Sequence, residues 1–353
     1  MKPRVEDRLG QLFFLRLREN RWSAALERML RVAAPGGILL SAPLPPSAES
    51  TSEFLRKTAW AIPHPPFLAV REEGGSADQL GVFLPRLPFP RAAAERGLSA
   101  VARLGELIGA ALSLLGFNTN FAPLLDLATP FTEKSLGGRT FEADPKQVAQ
   151  CGRAFVRGLR HHKILPVGKH FPGGGSVPFE NSQDLAVSGK PMAALWREDL
   201  LPFRQLLPHL PMVLISPAAY KAYNFDQPRP ACLSALVVDG LLRVKLGYRG
   251  LALAYDLESD AVRGRLDRRE TAIQSLNAGC DMLILDEGRP FEEVRRALEA
   301  GLTSGKLFRQ RVEQSLERIQ AVKKRLTRPP GRITKRTLEQ VVRRFESFSK
   351  EFR

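Results

Sequence analysis

Eight short apolar runs, with a helix-like segment in most of the gaps between them, leave few folds open to this chain. The runs fall at 12–17, 37–41, 67–71, 118–125, 165–170, 212–216, 251–256 and 281–285. Each is bounded by turn residues and is apolar nearly throughout, the pattern of strands buried on both faces. Helical periodicity marks 23–32, 98–115, 145–161, 192–207, 233–246 and 268–278. Strand and helix alternating eight times predict an α/β chain closed as a single (β/α)8 barrel of the TIM type, with helices at 291–300 and 308–326 completing it. A chain of 353 residues, 44% of them hydrophobic, is large enough to fill such a core.

In a barrel of this kind the side chains just beyond each strand gather on one face. Here they are Glu72 and Glu73, Asp126, Lys169 and His170, Ser216, Tyr255 and Asp256, and Asp286. The stretch Leu165-Pro-Val-Gly-Lys-His-Phe-Pro-Gly-Gly-Gly-Ser176 stands out, because Lys169 and His170 fall at a strand end and the glycines beyond them give a backbone free to fold over a ligand. The same letters also fit a strand that ends in a glycine turn with a surface Lys and His. A Pro-rich segment at 81–91 reads as a loop over the face. Arg139, beside two glycines, reads by itself as a surface residue.

Charge narrows the possible partners. The formal net charge is +16, which suits an anionic polymer, nucleic acid or a membrane surface. No zinc-finger spacing, RNP pattern or basic region joined to heptads is present, so nucleic acid is the least supported of these. The five histidines show no ligand spacing with cysteines or carboxylates, so no metal is expected, and His161-His162 reads as a helix end where cations suit the dipole. No phosphate-binding loop or dinucleotide fingerprint implies a cofactor. Three widely spaced cysteines and the lack of a long apolar leader point to a reduced, cytoplasmic protein. We divide the chain into a barrel at 1–326 and a basic linker and helix at 327–353. Pro329-Pro330-Gly331 breaks the chain, Thr337 to Gln340 has capping-box spacing, and Leu338, Val341, Phe345, Phe348 and Phe352 form one apolar stripe. That stripe fits either the chain's own barrel or a partner or membrane surface.

Several motifs together resemble a known family. Lys169-His-Phe-Pro-Gly173, preceded by Asn120-Phe-Ala-Pro-Leu-Leu-Asp126 and Gly138-Arg-Thr-Phe-Glu-Ala-Asp-Pro145, is similar to the barrel domain of glycoside hydrolase family 3, and most of all to its bacterial β-N-acetylhexosaminidases. Glu73-Gly-Gly75, Asp199-Leu-Leu-Pro-Phe203 and Asn277-Ala-Gly-Cys-Asp-Met282 follow in the family's order. The resemblance implies retaining hydrolysis of β-linked N-acetylglucosamine from cell-wall fragments, with one carboxylate attacking and a second group protonating the leaving oxygen. It also implies that Lys169, His170 and Arg139 hold the sugar.

The chemistry departs from that pattern. The family's nucleophilic Asp aligns with Tyr255, and Asp256 stands one residue later, where a regular strand would turn it away from the sugar. In the acid/base loop Glu180 takes the Asp place and Ser182 the His place, and a hydroxyl is a far weaker proton donor than imidazolium. Arg71 and Ser76 replace a sugar-binding carboxylate and an Arg, and Ser216 replaces a His. Three readings follow: a sugar-binding pseudoenzyme, an active hydrolase using the displaced carboxylates Asp256 and Glu180, or a basic barrel or tail that binds an anionic polymer or membrane.

Overall fold

The computed structural model describes residues 4–177, 185–264, 266–326 and 333–352. Eight parallel strands close into a barrel: β1 (Phe13–Leu17), β2 (Gly37–Leu40), β3 (Phe67–Val70), β4 (Thr119–Asn120), β5 (Leu165–Phe171), β6 (Met212–Ile215), β7 (Leu251–Asp256) and β8 (Met282–Asp286). Each pairs with its neighbours in sequence, and β8 returns to β1. Every expected run is a strand. The 118–125 run shrinks to two residues of regular ladder, since Pro123 has no N–H to donate.

Around the barrel lie α1 (Ala24–Ala33), α2 (Ala48–Ala61), α3 (Leu98–Leu115), α4 (Pro145–His161), α5 (Leu200–Leu206), α6 (Arg268–Ala278), α7 (Arg289–Ser304) and α8 (Arg309–Lys323). Helix α2 fills a gap where periodicity predicts nothing, and its start is set by a reciprocal cap between Ser47 and Ser50. The helix expected at 192–207 is broken in two, Met192–Arg197 and α5, because Asp199 turns inward to a fully buried position and pairs with Lys190 at 2.5 Å. The segment expected at 233–246 is a wide π-helix, Leu236–Lys245. As expected, α4 ends at His161.

At the N-terminal end of the barrel, Asp281 immediately precedes β8 and is fully buried. One of its oxygens accepts from Arg243 at 2.5 Å and the Ala252 amide at 2.9 Å; the other accepts from Arg311 and Arg318, both at 3.0 Å, and Ser315 at 3.1 Å. This carboxylate joins β7, β8, α8 and the π-helix, so it closes the barrel's last turn.

The C-terminal helix, α9 (Lys335–Lys350), docks on its own barrel. Phe345 and Phe348 are fully buried, and Arg344 and Glu351 pair with Glu106 and Arg103 of α3 at 2.7 and 2.6 Å. Its cap is Thr334, whose hydroxyl accepts from the Thr337 amide, so Thr337 lies inside the first turn instead of opening the helix. The apolar stripe is therefore turned to the barrel, with Leu338, Val341 and Phe352 half-buried against it, and the outward face that could meet an anionic surface carries Arg336, Arg343 and Lys350. Helix α3 is long and apolar enough to cross a membrane, but here it is an outer barrel helix packed between α4 and α9.

Candidate functional site

A cavity of about 220 Å³ opens at the C-terminal end of the barrel. Its wall includes Arg16 from β1, Arg71 and Gln79 from the loop after β3, Arg139, Lys169 and His170, and Tyr255 and Asp256. Two irregularities in the ladder decide which side chains arrive there. Between β5 and β6, Lys169 pairs with Leu214 but Phe171 with Ile215, so β5 carries one extra residue at His170. Between β7 and β8, Leu253 pairs with Met282 but Asp256 with Ile284, so β7 carries one extra residue before Asp256. An inserted residue interrupts the alternation of faces, and both members of each pair, Lys169 with His170 and Tyr255 with Asp256, line the cavity. The expectation that Asp256 faces away from the site is corrected by this bulge.

Lys169 and His170 are strand residues 2% and 6% exposed, not surface groups in a turn. Arg139 is likewise 6% exposed, which overturns its surface reading. Its position depends on the glycines around it. A Cβ at Gly75 would lie 2.3 Å from the Phe89 ring and one at Gly138 2.8 Å from the same ring, so Phe89 can clamp the two loops together only because both residues lack side chains. Arg139 then reaches Glu73, with contacts at 2.8 and 3.2 Å to its two oxygens, and the Lys169 ammonium pairs with the same carboxylate while donating to the Phe121 carbonyl. Burial alone would raise the Glu73 carboxyl, but Lys169 and Arg139 outweigh it and hold the group well below the usual carboxylate range. Burial lowers Lys169 to about 8, since Arg139 and Arg71 add to that effect and Glu73 offsets only part of it.

His170 is fixed from behind. Its Nδ1 lies 2.7 Å from Asp126, and the other Asp126 oxygen accepts from the His170 and Gly174 amides at 3.3 and 2.6 Å. Its ring faces Tyr255, with centroids 5.8 Å apart. The glycine run is used differently from the expected ligand cradle. Gly173 has φ +122°, and a Cβ there would meet Asp199 at 2.6 Å, so this turn packs down onto the protein.

Not every expected residue reaches the cavity. Glu72 accepts from the amides of Gly74, Gln79 and Leu80 and braces its own loop. Ser216 accepts from the Ala218 amide and the Tyr220 hydroxyl. Asp286 binds Arg16 and Arg18, each at 2.5 Å, and Arg16 also pairs with Asp256. The second oxygen of Asp256 accepts from the Glu258 amide at 3.0 Å. Glu180 and Ser182 lie outside the described residues. Arg16 was missed by sequence reasoning, although a cation inside the otherwise apolar Phe13-Phe-Leu-Arg-Leu17 is the signal that marks it. Tertiary structure also sets Glu106 beside His161 and His162, their donor atoms within 4.8 Å of one another, a grouping invisible in the spacing. Arg344 already neutralises that Glu106 at 2.7 Å, which disfavours a cation there.

Comparison with known proteins agrees with this architecture. The profile of the glycosyl hydrolase family 3 N terminal domain matches residues 4–322. A β-hexosaminidase of Nitrosomonas eutropha is 31% identical over 258 residues, covering 71% of this chain and 73% of its own. Among solved structures, a family 3 β-N-acetylglucosaminidase from Paenibacillus sp. superposes with a TM-score of 0.80 at 25% identity, over 98% of this chain and 69% of that one. A fungal multi-domain family 3 β-N-acetylglucosaminidase reaches 0.89 at 25% identity over 97% of this chain, which spans only 42% of that longer protein.

Proposed function

The chain belongs to glycosyl hydrolase family 3, and on that premise we propose that its barrel holds a sugar of the N-acetylglucosamine type, as found in cell-wall fragments, without hydrolysing it. The observation that carries this reading is the state of Asp256. It is the one carboxylate on the cavity wall among the described residues, and both of its oxygens are engaged, one by Arg16 and the other by the Glu258 amide. A nucleophile must present a lone pair to the anomeric carbon in line with the leaving oxygen. Pairing with a guanidinium draws negative charge from the carboxylate, and the backbone amide fixes its orientation, which together count against Asp256 as a displaced nucleophile. Tyr255, at the position where the resemblance puts the nucleophile, offers a phenol in place of a carboxylate, its ring beside His170. Lys169, His170 and Arg139 remain buried and held by Glu73 and Asp126, as a binding wall requires.

The purified protein is predicted to be silent on 4-methylumbelliferyl β-N-acetylglucosaminide, while a Tyr255→Asp, Ser182→His double variant gains measurable turnover. Wild-type turnover abolished by Asp256→Asn would instead establish the displaced-carboxylate hydrolase. On the same reading we place the protein in a reducing, cytoplasmic setting. The buried free thiols support it: burial pushes Cys151 up to about 11 and Cys232 up to about 12. Recovery of the native protein in a secreted or periplasmic fraction would overturn that placement.

A further inference from the structure

The cavity wall is unevenly charged. Arg16, Arg71, Arg139 and Lys169 contribute to it, against Asp256 alone among the described acidic residues. Arg16 is taken up by Asp256 and Asp286, while Arg139 and Lys169 converge on Glu73. Arg71 differs from all three. It stands exposed at the C-terminal end of β3, on the cavity wall, with no ion pair or hydrogen bond to any described residue. Its charge is felt by Lys169, whose proton it helps to loosen. Tyr255 lines the same cavity, its ring beside that of His170.

A cation at the rim of a small cavity, close to a second cation whose own counter-ion is buried behind it, suits one kind of ligand. Neutral hydroxyl groups satisfy a guanidinium poorly, whereas a carboxylate meets it with charge-assisted and often bidentate hydrogen bonds. The cavity, at about 220 Å³, lies below the roughly 300–1,000 Å³ of sites for drug-sized ligands, so it fits a single ring better than an oligomer.

We infer that the ligand of this cavity is a carboxylated monosaccharide unit, with Arg71 as the residue that selects for the acid. This rests on the sugar-binding reading above and narrows it to an anionic class. The carboxylate can belong to the ring's C6, as in a hexuronic acid, or to an ether substituent, as in a muramic acid; Arg71 recognises the same group in both.

Calorimetric titration of the full chain with two matched pairs tests it: glucuronic acid against glucose, and N-acetylmuramic acid against N-acetylglucosamine. At low ionic strength one acid of the two is expected to bind about tenfold more tightly than its neutral partner, a ratio that falls as salt is added. Whichever pair shows the ratio identifies where the carboxylate sits. Arg71→Ala is expected to bring that ratio close to unity and Arg71→Glu to invert it; both replace an exposed side chain, and circular dichroism checks that the fold is kept. Equal affinities within both pairs, or a preference that survives in Arg71→Ala, would overturn the inference while leaving sugar binding intact. Failure of all four sugars to bind would remove the sugar-binding reading and this inference with it.

Discussion

Two carboxylates sit at opposite ends of the barrel, each surrounded by cations. Asp281, at the N-terminal end, is shared by three guanidiniums, a serine hydroxyl and a backbone amide. Glu73, at the C-terminal end, is held by Arg139 and Lys169, and those two cations also line the cavity. Asp281 is wrapped on all sides by protein, so its contacts serve to join elements of the barrel. Glu73 is buried behind cations that face an opening, so its contacts aim the cations at whatever enters. A barrel that keeps stability at one end and ligand recognition at the other shows that division here in the surroundings of two acids.

The largest effect is expected at the closed end. Asp281→Ala leaves Arg243, Arg311 and Arg318 without their shared counter-charge and is predicted to lower the unfolding free energy by about 3–5 kcal/mol, read from denaturant midpoints. A loss below about 1 kcal/mol, the scale of an ordinary surface ion pair, would erase the distinction between the two ends.

At the open end the order of effects reverses. Glu73→Gln is predicted to cost less stability, about 1–3 kcal/mol, because the isosteric amide oxygen still accepts from one of the two cations, whereas Asp281→Ala removes every acceptor. Sugar binding should nonetheless disappear, since Arg139 and Lys169 lose the group that orients them. Retained affinity in calorimetry would make Glu73 as purely structural as Asp281.

The smallest effect is a pH dependence confined to the open end. Lys169 is lowered to about 8 by burial, with Arg139 and Arg71 adding to the effect, so it carries its charge below that pH and loses it above. Glu73, held well below the usual carboxylate range, stays ionised throughout. Affinity for a carboxylated sugar should therefore weaken as pH rises through about 8, and Lys169→Met should remove that step. The stability contribution has the opposite sign. Between about 8 and the ordinary lysine value the unfolded chain binds more protons than the folded one, so Lys169 destabilises less as pH rises across that window. An affinity independent of pH from 7 to 9 would place the Lys169 charge outside the interaction.

Much of this was legible in the residues. Eight apolar runs became eight strands within a few residues, because a strand buried on both faces leaves an unbroken signature that few other structures share. Lys169, His170 and Arg139 were legible as candidates through the motifs around them, and all three reached the cavity. Helix α2 was missed because its start depends on two serines in a reciprocal cap, a weak signal beside hydrophobic periodicity. The 192–207 helix was read as continuous because its periodicity runs unbroken across Asp199, whose inward turn depends on Lys190.

What the amino-acid order determined alone is the alternation of strand and helix, and with it the barrel and the end at which a site forms. Both follow from local periodicity and from the short-range chirality of parallel strand connections. Only the tertiary structure decided which faces the critical side chains take. One inserted residue at His170 and another before Asp256 turn neighbouring side chains into the same cavity, and a bulge is a property of the pairing between two strands, written in neither strand alone. Tertiary contact also tied Asp256 to Arg16 across 240 residues of chain and left Arg71 without a described partner. Charge pairing at such separations is settled by which strands become neighbours when the barrel closes, and local sequence carries no record of that.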